Sequence, residues 1–154
     1  GPSLPASPRS LARELAMNSP VPRHLAGLFL ALLLTAAIWP TPEWRAAWYV
    51  IRHQTELQAD MDACFLQGKN LSYNGSFLYV NDWPGQHSMV EYVFIEQGGR
   101  LYGFYYSPDN VPLAFQNAAL PLEETPDGWR WRDGRGSGET RQLAPRWFLF
   151  SAPT

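Results

Sequence analysis

The first hydrophobic segment of the chain is an uninterrupted apolar run over residues 25–39. Arg23 and His24 lie just before it, and Pro40 and Pro42 close it. A transmembrane helix needs about 20 apolar residues, whereas the apolar core of a signal peptide has about 7–15. We interpret residues 24–40 as a transmembrane anchor or an uncleaved signal. A cleaved signal peptide and a buried helix of a soluble protein are the alternatives.

Residues 1–16 are interpreted as vector-derived or upstream sequence and are left out of the predicted fold. Gly1 and Pro2 resemble the remnant of a protease site, and residues 1–23 are interpreted as a tag or a cytoplasmic tail. Three arginines precede the apolar run and two follow it closely. This bias favours a cytoplasmic N-terminus. It predicts an inner-membrane anchor with a periplasmic C-terminal domain, or a secreted or periplasmic protein if the signal is cleaved.

Residues 41–67 carry the pattern of an amphipathic linking helix. Thr41 can cap its N-terminus, Pro42 suits the first helical position, and Gly68 is a good stop. Apolar side chains recur at roughly helical spacing, at Trp44, Trp48, Ile51, Met61 and Phe65. We predict one helix over about residues 42–66, with its apolar stripe packed on the sheet that follows.

Three tryptophans at the junction of these two segments suit a membrane–water interface. Amphipathic indole rings collect at that depth, and the three are Trp39, Trp44 and Trp48. Membrane lipid is therefore one expected partner.

From residue 68 the pattern changes to short alternating segments separated by turns. Strands are predicted over residues 76–80, 88–96, 101–107, 113–116, 129–132 and 146–151. Gly98 and Gly99 suit a tight hairpin, and residues 134–138 are glycine-rich and predicted to form a loop. The sequence thus predicts an α+β protein. Its N-terminal membrane helix and amphipathic helix precede an extracytoplasmic domain, residues 68–154, with a small antiparallel sheet in a meander or partial barrel.

Charge and composition limit the classes of binding partner that are expected. The 12 basic and 14 acidic residues give a net charge of −2, unlike the basic surface of a nucleic-acid-binding protein, so no nucleic-acid partner is expected. The C-terminal third is rich in arginine and tryptophan, which can bind anionic lipid or an acidic partner. The candidate interaction residues are Trp83, His87, Trp129, Arg130, Trp131, Arg132 and Trp147.

Candidate chemistry is sparse. The single cysteine, Cys64, lies near a predicted helix end rather than at an N-terminus, where its thiol pKa would be lowered. His87 is the best-placed loop residue for a site. Glu91 is the one carboxylate inside an apolar strand, where pairing with Arg100 or Arg132 is the simplest expectation. The pattern contains no nucleophile elbow, so no catalytic residue is assigned.

A metal site has only weak support. His53, Glu56 and Asp60 share one face of the predicted helix, but no second histidine follows four residues after the first. We expect neither a metal nor a cofactor.

These features favour a non-catalytic, membrane-anchored accessory or interaction subunit of a cell-envelope complex, with another envelope protein as its partner. An exported inhibitor or immunity protein that binds a partner enzyme is the first alternative. A small envelope hydrolase that uses His87 or Cys64 is the second.

Overall fold

The computed structural model describes residues 23–38 and 41–154, and the chain divides into two compact units between residues 39 and 40. In the first unit the described part is helix α1, Arg23–Ile38. Its large apolar side chains Leu25, Leu28, Phe29 and Leu30 are exposed. Its 16 residues span about 24 Å, short of the roughly 30 Å hydrocarbon core of a bilayer. Among the described residues, no helix combines the length and hydropathy needed to cross a membrane.

The second unit begins with helix α2, Pro42–Gln67, which confirms the predicted amphipathic helix. The Trp44 amide donates to Thr41 Oγ1 at 3.2 Å, so Thr41 caps the first turn. Gly68 ends the helix in a left-handed conformation, with φ 65°, and its amide donates to the carbonyls of Cys64 and Phe65. Non-helical angles at His53 divide α2 into two segments.

Eight antiparallel strands follow and form one open sheet, which confirms the α+β class. They are β1 Leu71–Tyr73, β2 Ser76–Asn81, β3 Met89–Gln97, β4 Arg100–Tyr106, β5 Glu123–Thr125, β6 Gly128–Asp133, β7 Gly136–Ala144 and β8 Trp147–Pro153. Their order is β1-β2-β3-β4-β8-β7-β6-β5. The sheet therefore consists of two four-stranded meanders, joined where β4 pairs with β8, with β1 and β5 at the edges.

One side of the sheet, the helix side, is covered by α2. The helix buries Ala46, Val50, Leu57, Met61 and Cys64. They pack against alternating strand residues, namely Leu78, Val90, Tyr92, Phe104, Tyr106, Trp147 and Leu149. This cluster is the larger of the two cores.

The other side, the loop side, is covered by residues 107–122, which connect β4 to β5 and are called the covering loop below. Its residues Leu113, Ala114 and Phe115 pack on a second core. The strand residues of that core are Met89, Tyr105, Trp131, Phe148, Phe150 and Ala152. The protein thus has two cores, one on each side of a single sheet.

Two local predictions are wrong. Residues 113–116 do not form a strand, because Phe115–Asn117 is a 3-10 turn in which Gln116 has φ 56° and Asn117 has φ 54°. Residues 134–138 are not all loop, because β7 begins at Gly136. Gly138, which weakens the strand signal of this segment, is required by packing. A Cβ atom on Gly138 would collide with the Trp131 ring.

Candidate interaction surfaces

The outer face of α2 carries an exposed row of large apolar side chains, Trp44, Trp48 and Ile51, called the α2 stripe below. Their exposed fractions are 57 %, 48 % and 56 %. They lie at positions i, i+4 and i+7, so they share one face of the helix. The two indole rings are 5.7 Å apart. The first half of α2 therefore carries apolar side chains toward the sheet and on part of its solvent-exposed surface. Trp39, the third predicted interface tryptophan, lies outside the described residues.

A groove lies beside the α2 stripe, because α2 packs mainly on β1–β4 and β8 and leaves part of the helix side open. Arg141, Gln142 and Leu143 of β7 line it opposite the stripe. The adjoining depression over β5–β8 has a volume of about 210 Å³.

Two ion pairs cross this open part of the sheet. Arg141 Nη2 lies 3.2 Å from Glu43 Oε2, which links the strand to the first turn of α2. Arg130 Nε lies 3.8 Å from Glu139 Oε1 on the neighbouring strand. The arginines of the groove are thus partly balanced by carboxylates, and its surface is amphipathic rather than strongly basic.

The predicted arginine and tryptophan patch is divided by the sheet. Trp147 is buried under α2, and Trp131 is buried in the loop-side core. Trp129 is partly buried on the loop side, with its ring 6.2 Å from that of Phe148. Arg130 and Arg132 alternate with these rings and face the helix side, as predicted from the strand pattern. Trp131 and Trp147 are core residues here, so the exposed members of the patch are the arginines.

Trp83 and His87 are brought together at the end of the sheet where the β2–β3 connection meets the covering loop. The Trp83 Nε1 group donates to the carbonyl of Gln116 at 3.3 Å. His87 Nδ1 lies 2.8 Å from Asp109 Oδ2. Both side chains are exposed, and both contact the covering loop from the same connection.

Glu91 is buried beneath this junction, and the expected pairing with Arg100 or Arg132 is wrong. Its carboxylate accepts a hydrogen bond from Asn81 Nδ2 at 2.8 Å and another from the Gln116 amide at 3.1 Å. Arg100 instead donates to Ser151 and the Ser137 carbonyl. The reason is alternation: Glu91 faces the loop side, whereas both arginines face the helix side.

Burial raises the pKa of the Glu91 carboxyl group. Desolvation raises its pKa from 4.5 to about 7, although the hydrogen bonds from Gln116 and Asn81 act in the opposite direction. Tyr79 of β2 and Tyr105 of β4 are its cross-strand neighbours. Since neither is a cation, neither neighbour offsets the cost of burying the carboxylate.

Asn117 completes the polar junction. It is buried, and its Nδ2 group donates to the Asn81 carbonyl at 3.2 Å and to the His87 carbonyl at 2.6 Å. Sequence reasoning missed Asn81, Asp109, Gln116 and Asn117. The available signal was weak, because such polar residues are common at strand ends and in loops and their partners lie 10 to 36 residues away.

Exposed aromatic side chains continue from this junction along β2. Phe77, Tyr79 and Trp83 are 51 %, 40 % and 50 % exposed and are called the aromatic face below. Leu78 and Val80 belong to the helix-side core, so alternation places Phe77 and Tyr79 on the loop side. The rings of Phe77 and Tyr79 are 6.4 Å apart.

The described side chains do not assemble a hydrolytic site around either candidate residue. Cys64 is fully buried on the sheet-facing side of α2, and burial raises the pKa of its thiol. His87 bonds Asp109, while the adjacent Ser88 hydroxyl donates to Asp82 instead. Within residues 23–38 and 41–154, no three His, Cys, Asp or Glu side chains form a group that could hold a metal ion. His53 and Glu56 form only a 3.5 Å pair.

The chain matches no protein-family model, no curated protein and no solved structure. Its function must therefore be argued from its own surfaces.

Proposed function

We propose that this chain is a non-catalytic, membrane-associated interaction domain of the cell envelope. The observation that carries the proposal is the α2 stripe, whose tryptophans and isoleucine are about half exposed on a helix that already buries its other face. Exposed apolar groups arranged in one row are typical of a surface that contacts a membrane or another protein.

The position of the stripe in the chain favours a membrane. The apolar helix α1 ends at Ile38, and α2 begins at Pro42. The chain can therefore place tryptophans within a few residues of a hydrophobic helix, which is the usual position of interfacial anchors. Arg45 and Arg52 are exposed on the same helix as the stripe and suit anionic head groups.

Membrane attachment has two parts in this proposal. Helix α1 supplies exposed leucines and Phe29 for insertion into the hydrocarbon, and the stripe supplies interfacial contacts. The sheet then carries the surfaces that bind a protein partner.

Fractionation of the full chain tests the attachment. We expect the wild-type chain to sediment with membranes and to resist an alkaline carbonate wash, and the Leu28→Asp/Phe29→Asp variant to be released. Mass spectrometry of the mature N-terminus should show that residues 25–38 are retained. A soluble chain that begins near Ile38 would contradict the proposal and favour the exported inhibitor.

A vesicle experiment isolates the stripe. In the Leu28→Asp/Phe29→Asp background, adding Trp44→Ser/Trp48→Ser should lower flotation with phosphatidylglycerol vesicles about tenfold, because the interfacial rings are lost. Leu66→Ser is the matched control, since Leu66 is 90 % exposed at the other end of the same helix. Equal losses in the two variants would remove the stripe from the proposal.

A further inference from the structure

The segments that carry the aromatic face and its surroundings contain neither lysine nor arginine. Residues 70–99 contain no lysine or arginine, and their acids are Asp82, Glu91 and Glu96. The covering loop also lacks lysine and arginine and contributes Asp109. All eight arginines of the second unit lie outside these two segments, at positions 45, 52, 100, 130, 132, 135, 141 and 146. Only the backbone of Arg146 is shown bonded to the covering loop, through Asn110 and Ser107.

Two carboxylates accompany the exposed rings. Asp82 immediately precedes Trp83 and is exposed, with one oxygen accepting the Ser88 hydroxyl at 2.7 Å. Asp109 reaches the same junction from the covering loop through His87. Among the described residues, each carboxylate keeps an oxygen outside these two bonds.

We propose that the aromatic face, with Asp82 and Asp109 beside it, binds an extended segment of a partner protein that carries arginine or lysine side chains. Indole and phenol rings attract cations over their faces, and most strongly when the cation is an arginine guanidinium on a tryptophan. The neighbouring carboxylates add charge complementarity, and no basic residue within residues 70–99 opposes it.

The spacing of the rings favours an extended segment. Phe77 and Tyr79 are two residues apart on β2, so their side chains are separated by about 6.6 Å along the strand, the same repeat as alternate residues of an extended peptide. Trp83 continues the row past the end of β2. Alternate basic side chains of one segment can therefore lie over successive rings.

This inference rests on the proposal that the chain is an interaction domain, and it names the chemistry of the partner. The test uses the full chain in micelles of an uncharged detergent, so that binding is measured independently of membrane attachment. The probe is a fluorescein-labelled nine-residue peptide with arginine at every second position and serine between. Matched probes carry glutamate or lysine in place of arginine. Fluorescence anisotropy gives the affinities.

We expect the arginine and lysine peptides to bind and the glutamate peptide not to bind. Tyr79→Ser/Trp83→Ser should weaken binding at least tenfold without changing the net charge. Asp82→Asn/Asp109→Asn should weaken it severalfold and reduce its dependence on salt. Leu66→Ser, which changes an exposed apolar residue of α2 on the other side of the sheet, is the control and should change the affinity less than twofold.

Other results would overturn the proposal. Equal binding of the arginine and glutamate peptides, or equal losses in the aromatic variant and the control, would exclude this surface as a site for basic segments. Saturable binding of a neutral oligosaccharide such as chitotetraose, with no binding of the basic peptides, would assign the face to another ligand class. Self-association of the full chain that Tyr79→Ser/Trp83→Ser abolishes, measured by sedimentation, would assign it to a second copy. If the wild-type chain sediments with membranes but binds none of the peptides, this inference is rejected and the proposed membrane association stands.

Discussion

The two sides of the sheet are closed by different kinds of structure. On the helix side, α2 contributes one face of apolar residues, and its backbone hydrogen bonds are made within the helix. On the loop side, the covering loop buries Ala114 and Phe115 but has few internal backbone bonds. It is held instead by side chains of the sheet and of the β2–β3 connection.

The difference follows from backbone hydrogen bonding. A buried loop must pair its amides and carbonyls with groups outside itself, or lose the free energy of those bonds. Here Glu91 accepts the Gln116 amide, and Trp83 donates to the Gln116 carbonyl. The helix side therefore depends on apolar packing, whereas the loop side depends on a buried carboxylate and strained backbone angles. Each side should respond to a different perturbation.

The largest effect is expected on the helix side. Leu57→Ala should lower the free energy of unfolding by about 2–5 kcal/mol, because the fully buried leucine leaves a cavity between α2 and the sheet. Chemical denaturation measures the change. Leu66→Ala in the same helix is the matched control and should stay within about 0.5 kcal/mol of wild type, since Leu66 is exposed. Similar losses in the two variants would contradict the placement of α2.

The next effect is a pH dependence from the loop side. The pKa of Glu91 is about 7 in the folded chain and 4.5 in its ordinary state, so its contribution to stability is complete below pH 4.5. As the pH rises toward 7, the unfolded chain loses this proton while the folded chain keeps it. The free energy of unfolding should therefore fall, by at most about 3 kcal/mol from this group, and level off above pH 7.

Comparison with Glu91→Gln separates this contribution from those of other titrating groups. Between pH 4.5 and 7.5 the free energy of unfolding should fall more for the wild type than for Glu91→Gln, because glutamine does not titrate. Glu96→Gln is the matched control, because Glu96 is exposed on the same strand, and it should follow the wild-type curve. A wild-type curve parallel to that of Glu91→Gln would place the carboxylate in a solvated environment.

The smallest effect concerns the backbone of the covering loop. Gln116 has φ 56°, a left-handed conformation in which glycine avoids the steric cost of a Cβ atom. Its side chain is exposed. Gln116→Gly should therefore raise the melting temperature slightly, with a gain of up to about 1 kcal/mol. Gln86→Gly, in an exposed turn without positive φ, should not stabilise the chain; a loss at position 116 equal to that at position 86 would argue against the strain.

The elements with strong local signals were predicted from the sequence. Thr41, Pro42 and Gly68 delimit α2 within a residue or two, and Gly98 and Gly99 mark the hairpin between β3 and β4. Strand β7 was missed because its small and polar residues carry little strand signal. Strand β7 pairs with β6, and Gly138 packs closely on the Trp131 ring. This contact between two strands does not appear in the local pattern of either one.

The candidate surfaces were predicted only in part. The sequence singled out Trp44, Trp48, Trp83 and His87, and these side chains are exposed. It grouped Trp131 and Trp147 with them, although both are core residues on opposite sides of the sheet. Periodicity predicts which residues share a face of a strand, but the identity of the layer that covers each face depends on the order of strands in the sheet.

By itself, the sequence determined the α+β composition, the bounds of α2 and the alternation of strand faces, because capping, turn geometry and side-chain periodicity act over a few residues. The tertiary structure alone decided that Glu91 is buried against the covering loop and that the aromatic face lies opposite α2. Those arrangements depend on hydrogen bonds and packing between residues tens of positions apart, which no local pattern encodes.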